Sequence, residues 1–166
     1  MKIAFIQAGG TIDKGYPSGD DHHGYGFEIG EPAFKRIISR VGVGFDLVFR
    51  DVVKKDSLDI DNDDRELILD ACEHVDSDRI VVTHGTDTMI ETAVYLNKIA
   101  NKVIVLTGAM TPELFKDSDA DFNIGFAAAA ASTLNYGVYL AMSGQIFRPN
   151  EVTFDSELSQ FVQKDA

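Results

Sequence analysis

Apolar residues recur along the chain in short runs that are nearly continuous rather than alternating with polar residues. Five such runs occur at Ile3–Ile6, Leu47–Val53, Ile80–Val82, Val103–Leu106 and Val138–Ala141. Continuous apolar runs of this length are typical of strands that are covered on both faces, as in a parallel sheet. The pattern therefore predicts five buried strands.

Segments with helical spacing of apolar residues lie between these runs. They are Pro32–Val41, Asp64–Val75, Thr88–Ile99 and Phe122–Leu134. Strands that alternate with helices of this length indicate an α/β fold, with a doubly wound, mostly parallel sheet and helices on both faces. No repeat or linker divides the sequence, so residues 1–166 are predicted to form a single domain.

Two helix starts carry recognisable signals. Pro32 suits the first turn of a helix, where no intrahelical donor is needed. Ser118 or Asp119 is predicted to cap the last helix, in which the Ala127–Ala131 run permits close approach to the sheet.

The stretch Asp13–Ile29, rich in glycine, interrupts this regular alternation between the first strand and the first helix. A connection this long is either a functional lid or a disordered loop. We favour a lid, because the stretch begins directly after a polar turn with candidate chemistry.

Composition narrows the possible partners. The net charge of -12 leaves no basic stripe for phosphates, which argues against a nucleic-acid binder. No apolar run approaches the roughly 20 residues of a membrane helix. The single cysteine, Cys72, excludes an internal disulfide and is predicted to be a small core residue. With no signal-peptide pattern at the start, we expect a cytoplasmic protein.

Two polar segments follow strands and supply the candidate chemistry. They are Ala8–Asp13, after the first strand, and Thr83–Met89, after the third. Ligands bind at the carboxyl ends of the strands in open α/β sheets. Thr11, Thr86 and Asp87 are therefore predicted to converge on one small polar molecule.

Thr11 is a candidate nucleophile. Its hydroxyl needs a positioned proton acceptor, and the amides of a tight glycine turn can stabilise an oxyanion. Tyr25, in the long stretch, could supply a phenolic partner. The alternative is that Gly9-Gly10-Thr11 only makes a turn.

Thr86 and Asp87 lie at a predicted helix start, where free amides and the helix dipole attract a carboxylate. Asp87 favours an ammonium group instead. Together they describe a pocket for an amino acid. The alternative is that Thr86 caps the helix and Asp87 compensates its dipole.

The remaining polar clusters do not predict a metal site. His22 and His23 are adjacent, so their side chains diverge, and no third ligand is suitably spaced. The acidic run Asp59–Asp64 lacks the central glycine and final glutamate of a calcium loop and is predicted to be a solvated, helix-capping stretch. His84 is expected to shape its loop through hydrogen bonds.

Several segments, in order along the chain, resemble the amino-terminal domain of the bacterial-type L-asparaginase/glutaminase family, the threonine amidohydrolases. The family's T-G-G-T-I is matched by Ala8–Ile12, its T-H-G-T-D-T-M by Thr83–Met89, its G-A-M-x-P by Gly108–Pro112, its Ser-x-Asp pair by Ser57–Asp59, and its S-x-D-G-x-x-N-L by Asp117–Ile124. The resemblance covers the whole chain and implies the family's doubly wound fold.

The resemblance also implies roles for individual residues. Thr11 would be the nucleophile, Tyr25 its activator from the long stretch, and Thr86 and Asp87 members of a second polar group. Ser57 and Asp87 would hold the carboxylate and ammonium of the substrate. The wider substrate-binding set would comprise Gly10, Ser57, Asp59, Gly85, Thr86, Asp87 and Ala109. The implied reaction is amide hydrolysis through an acyl-threonine, with no metal and no cofactor.

The sequence departs from the family pattern at important positions. Phe154, in Val152-Thr153-Phe154, stands where the family has a catalytic lysine. Lys116 or Lys164 could swing in instead, although nothing in the sequence requires it. Ala8 and Asp13 replace the usual threonine and alanine around the nucleophile. The family's carboxyl-terminal domain is expected to be absent, so self-association or a separate partner subunit would close the pocket, or the pocket would stay partly open.

The sequence thus predicts a protein that binds L-asparagine or a related small amide and hydrolyses it to the acid and ammonia. Two alternatives stay open: a non-catalytic amino-acid-binding or regulatory protein, and a subunit of a larger amidotransferase.

Overall fold

A computed structural model of the protein describes residues 1–17 and 26–164. The elements, in chain order, are β1 (Lys2–Gly9), β2 (Lys14–Gly15), β3 (Glu28–Ile29), α1 (Ala33–Arg40), β4 (Asp46–Lys55), α2 (Asn62–His74), β5 (Arg79–Thr83), α3 (Met89–Leu96), β6 (Val103–Thr107), α4 (Ala120–Thr133), β7 (Gly137–Met142), β8 (Gln145–Phe147), β9 (Val152–Asp155) and β10 (Gln160–Gln163). Short 3-10 turns lie at Thr11–Asp13, Ser57–Asp59 and Pro149–Glu151. The predicted α/β fold is confirmed, and so are its five strands and four helices.

The central sheet has six strands in the order β4-β1-β5-β6-β7-β8. The first five are parallel, and β8 returns antiparallel to β7. The chain adds β4 on one side of β1 and then crosses back to add β5 on the other side. The crevice between the carboxyl ends of β1 and β5 is therefore the point where the strand order reverses, which is where such sheets bind ligands.

The helices cover both faces of this sheet. Alternate residues of β1 divide between two cores, because successive side chains of a strand point to opposite faces. Ile3 and Phe5 pack with α1 and α4, and Ala4 and Ile6 pack with α2 and α3. The whole of β6 is buried, as its continuous apolar run predicts.

The predicted core positions on the helices are also confirmed. Cys72 is fully buried on α2, and burial raises the pKa of its thiol to about 12. On α4, Ala127 and Ala131 are fully buried against the sheet in the same cluster as Val105. Their small side chains let the helix axis lie close to the strands.

The helix starts differ slightly from their predictions. Pro32 lies one position before α1 instead of inside its first turn, with a helix-compatible φ of -57°. Asp119 lies at the cap position of α4 but makes no capping bond there. Ser118 supplies one instead, since its Oγ accepts from the backbone nitrogen of Ala120 at 3.1 Å.

Three small elements do not follow from the apolar pattern. Lys14 pairs with Ile29 and Gly15 with Glu28, so the two ends of the long stretch form a short antiparallel ladder. β8 extends the sheet, and β9 and β10 form a separate antiparallel ribbon. Tyr25, His22 and His23 lie outside the described residues. Within the described ranges, no helix has the length and apolar character needed to cross a lipid bilayer.

Candidate ligand site at the carboxyl ends of β1, β4, β5 and β6

The loops after β1 and β5 are in direct backbone contact. Gly10 has a φ of 91°, which favours glycine, and a Cβ atom placed on it would lie 2.2 Å from the backbone nitrogen of Gly85. The backbone nitrogen of Gly10 also donates to the carbonyl of Lys55, at the end of β4, at 3.0 Å. Thr11 and Thr86 follow these two glycines, so their loops meet at the crevice where the strand order reverses.

The loop after β4 closes one side of this crevice. A Cβ atom on Gly85 would lie 2.5 Å from the Oγ of Ser57. Ser57 donates from Oγ to Oδ2 of Asp87 at 2.9 Å, and its carbonyl accepts from Oγ1 of Thr88 at 2.7 Å. Ser57 and Asp87, predicted from separate motifs, are therefore neighbours.

The loop after β6 closes the opposite side. A Cβ atom on Gly108 would lie 2.4 Å from the carbonyl oxygen of His84. The Asp119 carboxylate accepts from the backbone nitrogens of Met110 and Thr111, both within 3.1 Å. Asn123 donates from Nδ2 to the carbonyl of Gly108 at 3.0 Å. Ala109, predicted to bind substrate, is almost fully buried within this braced loop.

Asp119 and Asn123 are positioning residues that the helical pattern did not reveal. Asp119 also accepts from Nδ2 of Asn123 at 2.9 Å, so the pair forms one unit. The signal was their spacing of four residues on α4, which places them on the same helix face.

His84 is fully buried beneath the site and is uncharged near neutral pH. Burial lowers its pKa to about 4. A carbonyl oxygen only accepts, so Nδ1 of His84 donates to the carbonyl of Gly85 at 2.8 Å, and Nε2 accepts from Oγ1 of Thr92 at 2.8 Å. Both ring nitrogens are thus engaged, and His84 holds the Gly85 turn in place, as predicted.

The candidate side chains differ in their exposure. Thr11 begins a 3-10 turn and is half-buried, Thr86 is also half-buried, and Asp87 is exposed. Over residues 1–17 and 26–164, no hydrogen bond occupies the hydroxyl of Thr11 or of Thr86, which leaves both able to meet a ligand. Asp59 ends the turn that begins at Ser57 and is exposed.

The capping alternative for Thr86 does not hold. α3 begins at Met89, and the residue at its cap position is Thr88, two residues beyond Thr86. Thr86 and Asp87 therefore lie in the loop before the helix instead of in its first turn.

Charged groups nearby are paired. Lys14 Nζ lies 2.5 Å from Oδ2 of Asp56, directly before Ser57, and holds the pKa of that carboxyl below its usual value. Lys55 pairs with Asp64 at 2.7 Å. Asp64 and Asp61 form the reciprocal cap of α2, which confirms the capping interpretation of the acidic run.

Phe154, at the position where the family resemblance predicts a lysine, lies on the β9–β10 ribbon. The Phe154 ring packs edge-on against Phe161, with ring centroids 5.2 Å apart, and Phe154 is 39% exposed. The Nζ of Lys164 donates to the carbonyl of Asn150 at 3.5 Å. Lys116 is exposed on the loop before α4.

Fold and site together define a doubly wound domain with a polar crevice at its switch point. The family model described as "Asparaginase, N-terminal" matches residues 2–159. The chain belongs to this family.

Individual relatives agree with this assignment. "L-asparaginase 2" of Escherichia coli is 32% identical over 162 residues, covering 91% of this chain and 45% of that protein. The structure titled "The thermostable L-asparaginase from Thermococcus kodakarensis" superposes with a TM-score of 0.85 at 28% identity, covering 98% of this chain and 51% of that one. A shorter match, 45% identical over 69 residues, is to a glutamyl-tRNA(Gln) amidotransferase subunit of Methanococcus vannielii, covering 40% of this chain and 16% of that protein. The chain spans about half the length, or less, of these relatives.

Proposed function

We propose that this chain binds a small amino-acid amide, L-asparagine or a close relative, at the carboxyl ends of β1, β4, β5 and β6, and hydrolyses it to the acid and ammonia. The observation that carries the proposal is the backbone contact between Gly10 and Gly85. It supports a single pocket shared by Thr11, the proposed nucleophile, and Thr86.

The substrate's two charged ends suit the groups around this pocket. The Asp87 carboxylate would bind the α-ammonium. The single O–H of Ser57 would turn from Asp87 to the ligand, so that Ser57 and nearby backbone amides would bind the α-carboxylate. The hydrogen bond from Ser57 to Asp87 places these two groups side by side, as the adjacent ends of an α-amino acid require. Gly10, Asp59, Gly85 and Ala109 would complete the surrounding wall.

The chemical step would begin at Thr11. Its Oγ would attack the amide carbon as its proton passes to an acceptor, and backbone amides of the glycine turn would stabilise the oxyanion. Collapse of the intermediate would expel ammonia, once that nitrogen is protonated, and leave an acyl-threonine. Water would then hydrolyse the ester to release the acid and restore the Thr11 hydroxyl.

Two groups are candidates for accepting the proton of the Thr11 hydroxyl. Tyr25 is the candidate partner of Thr11, and Thr86 with Asp87 forms the second polar group. His84 is unsuited to this role, because its pKa is about 4 and both ring nitrogens are bonded. Phe154 cannot carry a proton either.

Phe154 favours a second candidate function, a receptor that binds the amino acid without hydrolysing it. A pocket that keeps Ser57, Asp87 and the glycine turns retains its binding groups when the proton-relay lysine is missing. The match to an amidotransferase component supports a third arrangement, in which a partner subunit completes the site. Self-association and a cytoplasmic location stay predictions from the sequence.

Ammonia release separates these candidates. The purified chain is incubated with L-asparagine and with L-glutamine, and Thr11→Ala serves as the inactive control. We expect release from at least one amide, and a loss of roughly a hundredfold or more in Thr11→Ala, because the nucleophile is removed. No release, together with a melting temperature raised by L-aspartate, would overturn hydrolysis by this chain alone. Release that appears only when a partner subunit is added would favour the third arrangement, and none even then would favour the receptor.

A further inference from the structure

Asp13, the second residue after Thr11, is a buried carboxylate that joins the Thr11 turn to α1. It is 2% exposed. Its Oδ1 accepts from the backbone nitrogen of Ala33, the first residue of α1, at 2.7 Å. Pro32, at the cap position, makes no side-chain capping bond, so Asp13 caps the helix from a distant loop.

Gln7 extends the same connection to Gly30. The Nε2 of Gln7 donates to Oδ2 of Asp13 at 2.9 Å and to the carbonyl of Gly30 at 3.0 Å. The backbone nitrogen of Gly30 donates back to the carbonyl of Asp13 at 2.9 Å. Both hydrogens of the Gln7 amide are thus used, while its buried Oε1 has no hydrogen-bond partner among the described residues.

Only the ionised form of Asp13 satisfies this arrangement. A carboxylate accepts from Ala33 and from Gln7 together. A proton on Oδ2 would face the Nε2 hydrogen of Gln7. Turning the Gln7 amide would bring Oε1 to that proton, but it would also bring Oε1 against the carbonyl of Gly30. Protonation of Asp13 therefore removes either the hydrogen bond from Gln7 to Asp13 or the hydrogen bond from Gln7 to Gly30.

We propose that Asp13 is a positioning residue for Thr11: its carboxylate fixes the Thr11–Asp13 turn against Gly30 and the start of α1, and protonation of that carboxylate loosens the turn. The catalytic consequence rests on the proposed function, whereas the structural coupling does not. Asp13 stands where the family pattern has alanine, so this role does not follow from the family resemblance.

The surroundings of Asp13 place its titration near physiological pH. Burial raises the pKa of Asp13 to about 6, against the opposing effect of the bonds from Ala33 and Gln7. Arg36 on α1 lowers this pKa, and Asp51 on β4 raises it. Each has a partner of its own, because Arg36 pairs with Glu113 at 2.6 Å and Asp51 with Lys35 at 2.8 Å.

An NMR titration between pH 5 and 8 tests the coupling without any substrate. We expect the backbone amides of Thr11, Gly30 and Ala33 to shift with one midpoint near 6, the same as the midpoint of the Asp13 carboxyl carbon. In Asp13→Asn, the chemical shifts of these amides should not change between pH 5 and 8. At pH 8 they should stay near the values that the wild-type chain shows at low pH. The control Asp61→Asn, at the cap of α2, should leave the pH-dependent change in these chemical shifts as it is in the wild-type chain.

Ammonia release over the same pH range tests the consequence for catalysis. We expect kcat of the wild-type chain to fall roughly tenfold on acidification, with the same midpoint as the amide chemical shifts. The kcat of Asp13→Asn at pH 8 should match the low-pH kcat of the wild-type chain, with KM little changed. The proposal would be overturned if the chemical shift of the Thr11 amide does not change with the titration of Asp13, or if the same change persists in Asp13→Asn. If no ammonia is released at any pH, the proposed function fails, and the amide titration of the wild-type chain still decides the positioning role.

Discussion

Gly10 is the residue on which the geometry of the candidate site depends most. Its φ of 91° and ψ of -178° lie in a region that side chains strongly disfavour. The absence of a Cβ is also what lets its backbone touch Gly85. Conformation and contact therefore impose the same requirement at this one position.

Replacing Gly10 with alanine should damage both stability and binding. The added Cβ would meet the backbone of Gly85, which cannot rotate away as a flexible side chain would. We expect a loss of at least about 2 kcal/mol in the free energy of unfolding, measured by urea denaturation. In the protein that stays folded at low temperature, L-aspartate should no longer raise the melting temperature.

Gly42→Ala is the matched control, because a Cβ atom at Gly42 has no neighbour within 4 Å. Its stability should change by less than about 1 kcal/mol and its ligand response should persist. Equal effects of the two substitutions would show that the contact between Gly10 and Gly85 has no special importance.

At the same scale, the sequence indicated Thr11, Ser57, Thr86 and Asp87 but not the residues that hold them. Motif spacing reveals a side chain that could meet a ligand. It does not reveal that the Asp119 carboxylate binds a loop nine residues earlier, or that Asp13 reaches Ala33. Such bonds depend on how separate elements pack, which a local pattern does not encode.

At the scale of elements, strands buried on both faces were the easiest to predict. β5 and β6 each contain an unbroken apolar run, Ile80–Val82 and Val103–Leu106, and their observed bounds differ from the predicted ones by a residue at most at either end. β8, β9 and β10 have only three or four residues each, two of them apolar, which is too short to form a recognisable apolar run. The β2–β3 ladder has two pairs of residues, too few to produce a pattern.

The β9–β10 ribbon allows a direct test of the missing lysine. We expect Phe154→Lys to increase ammonia release, because it returns an ammonium group to the position that the family pattern assigns to a proton relay. The stability cost should stay below about 2 kcal/mol, since Phe154 is partly exposed and loses mainly its contact with Phe161.

The control for this gain is Phe122→Lys, which adds the same charge at another exposed phenylalanine, on α4. It should leave ammonia release unchanged. An equal rate in wild type and Phe154→Lys would mean that the ribbon position does not serve the site in this chain.

At the scale of the whole molecule, the order of strands creates the site. The sequence predicted which segments are strands, but several orders of five parallel strands are compatible with the same pattern. Only the observed order, with β4 and β5 on opposite sides of β1, brings the loops after β1 and β5 to the switch point. The family resemblance implied a doubly wound fold, and neither it nor the apolar periodicity gave the strand order in advance.

Two threonine-bearing loops from neighbouring strands are proposed to share one ligand. A crystal structure of the chain with bound L-aspartate would show whether they do. We predict one aspartate at the carboxyl ends of β1 and β5, with Thr11, Thr86 and Asp87 all within hydrogen-bond distance of it. An aspartate that contacts only one of the two loops, or that binds elsewhere on the molecule, would contradict the account.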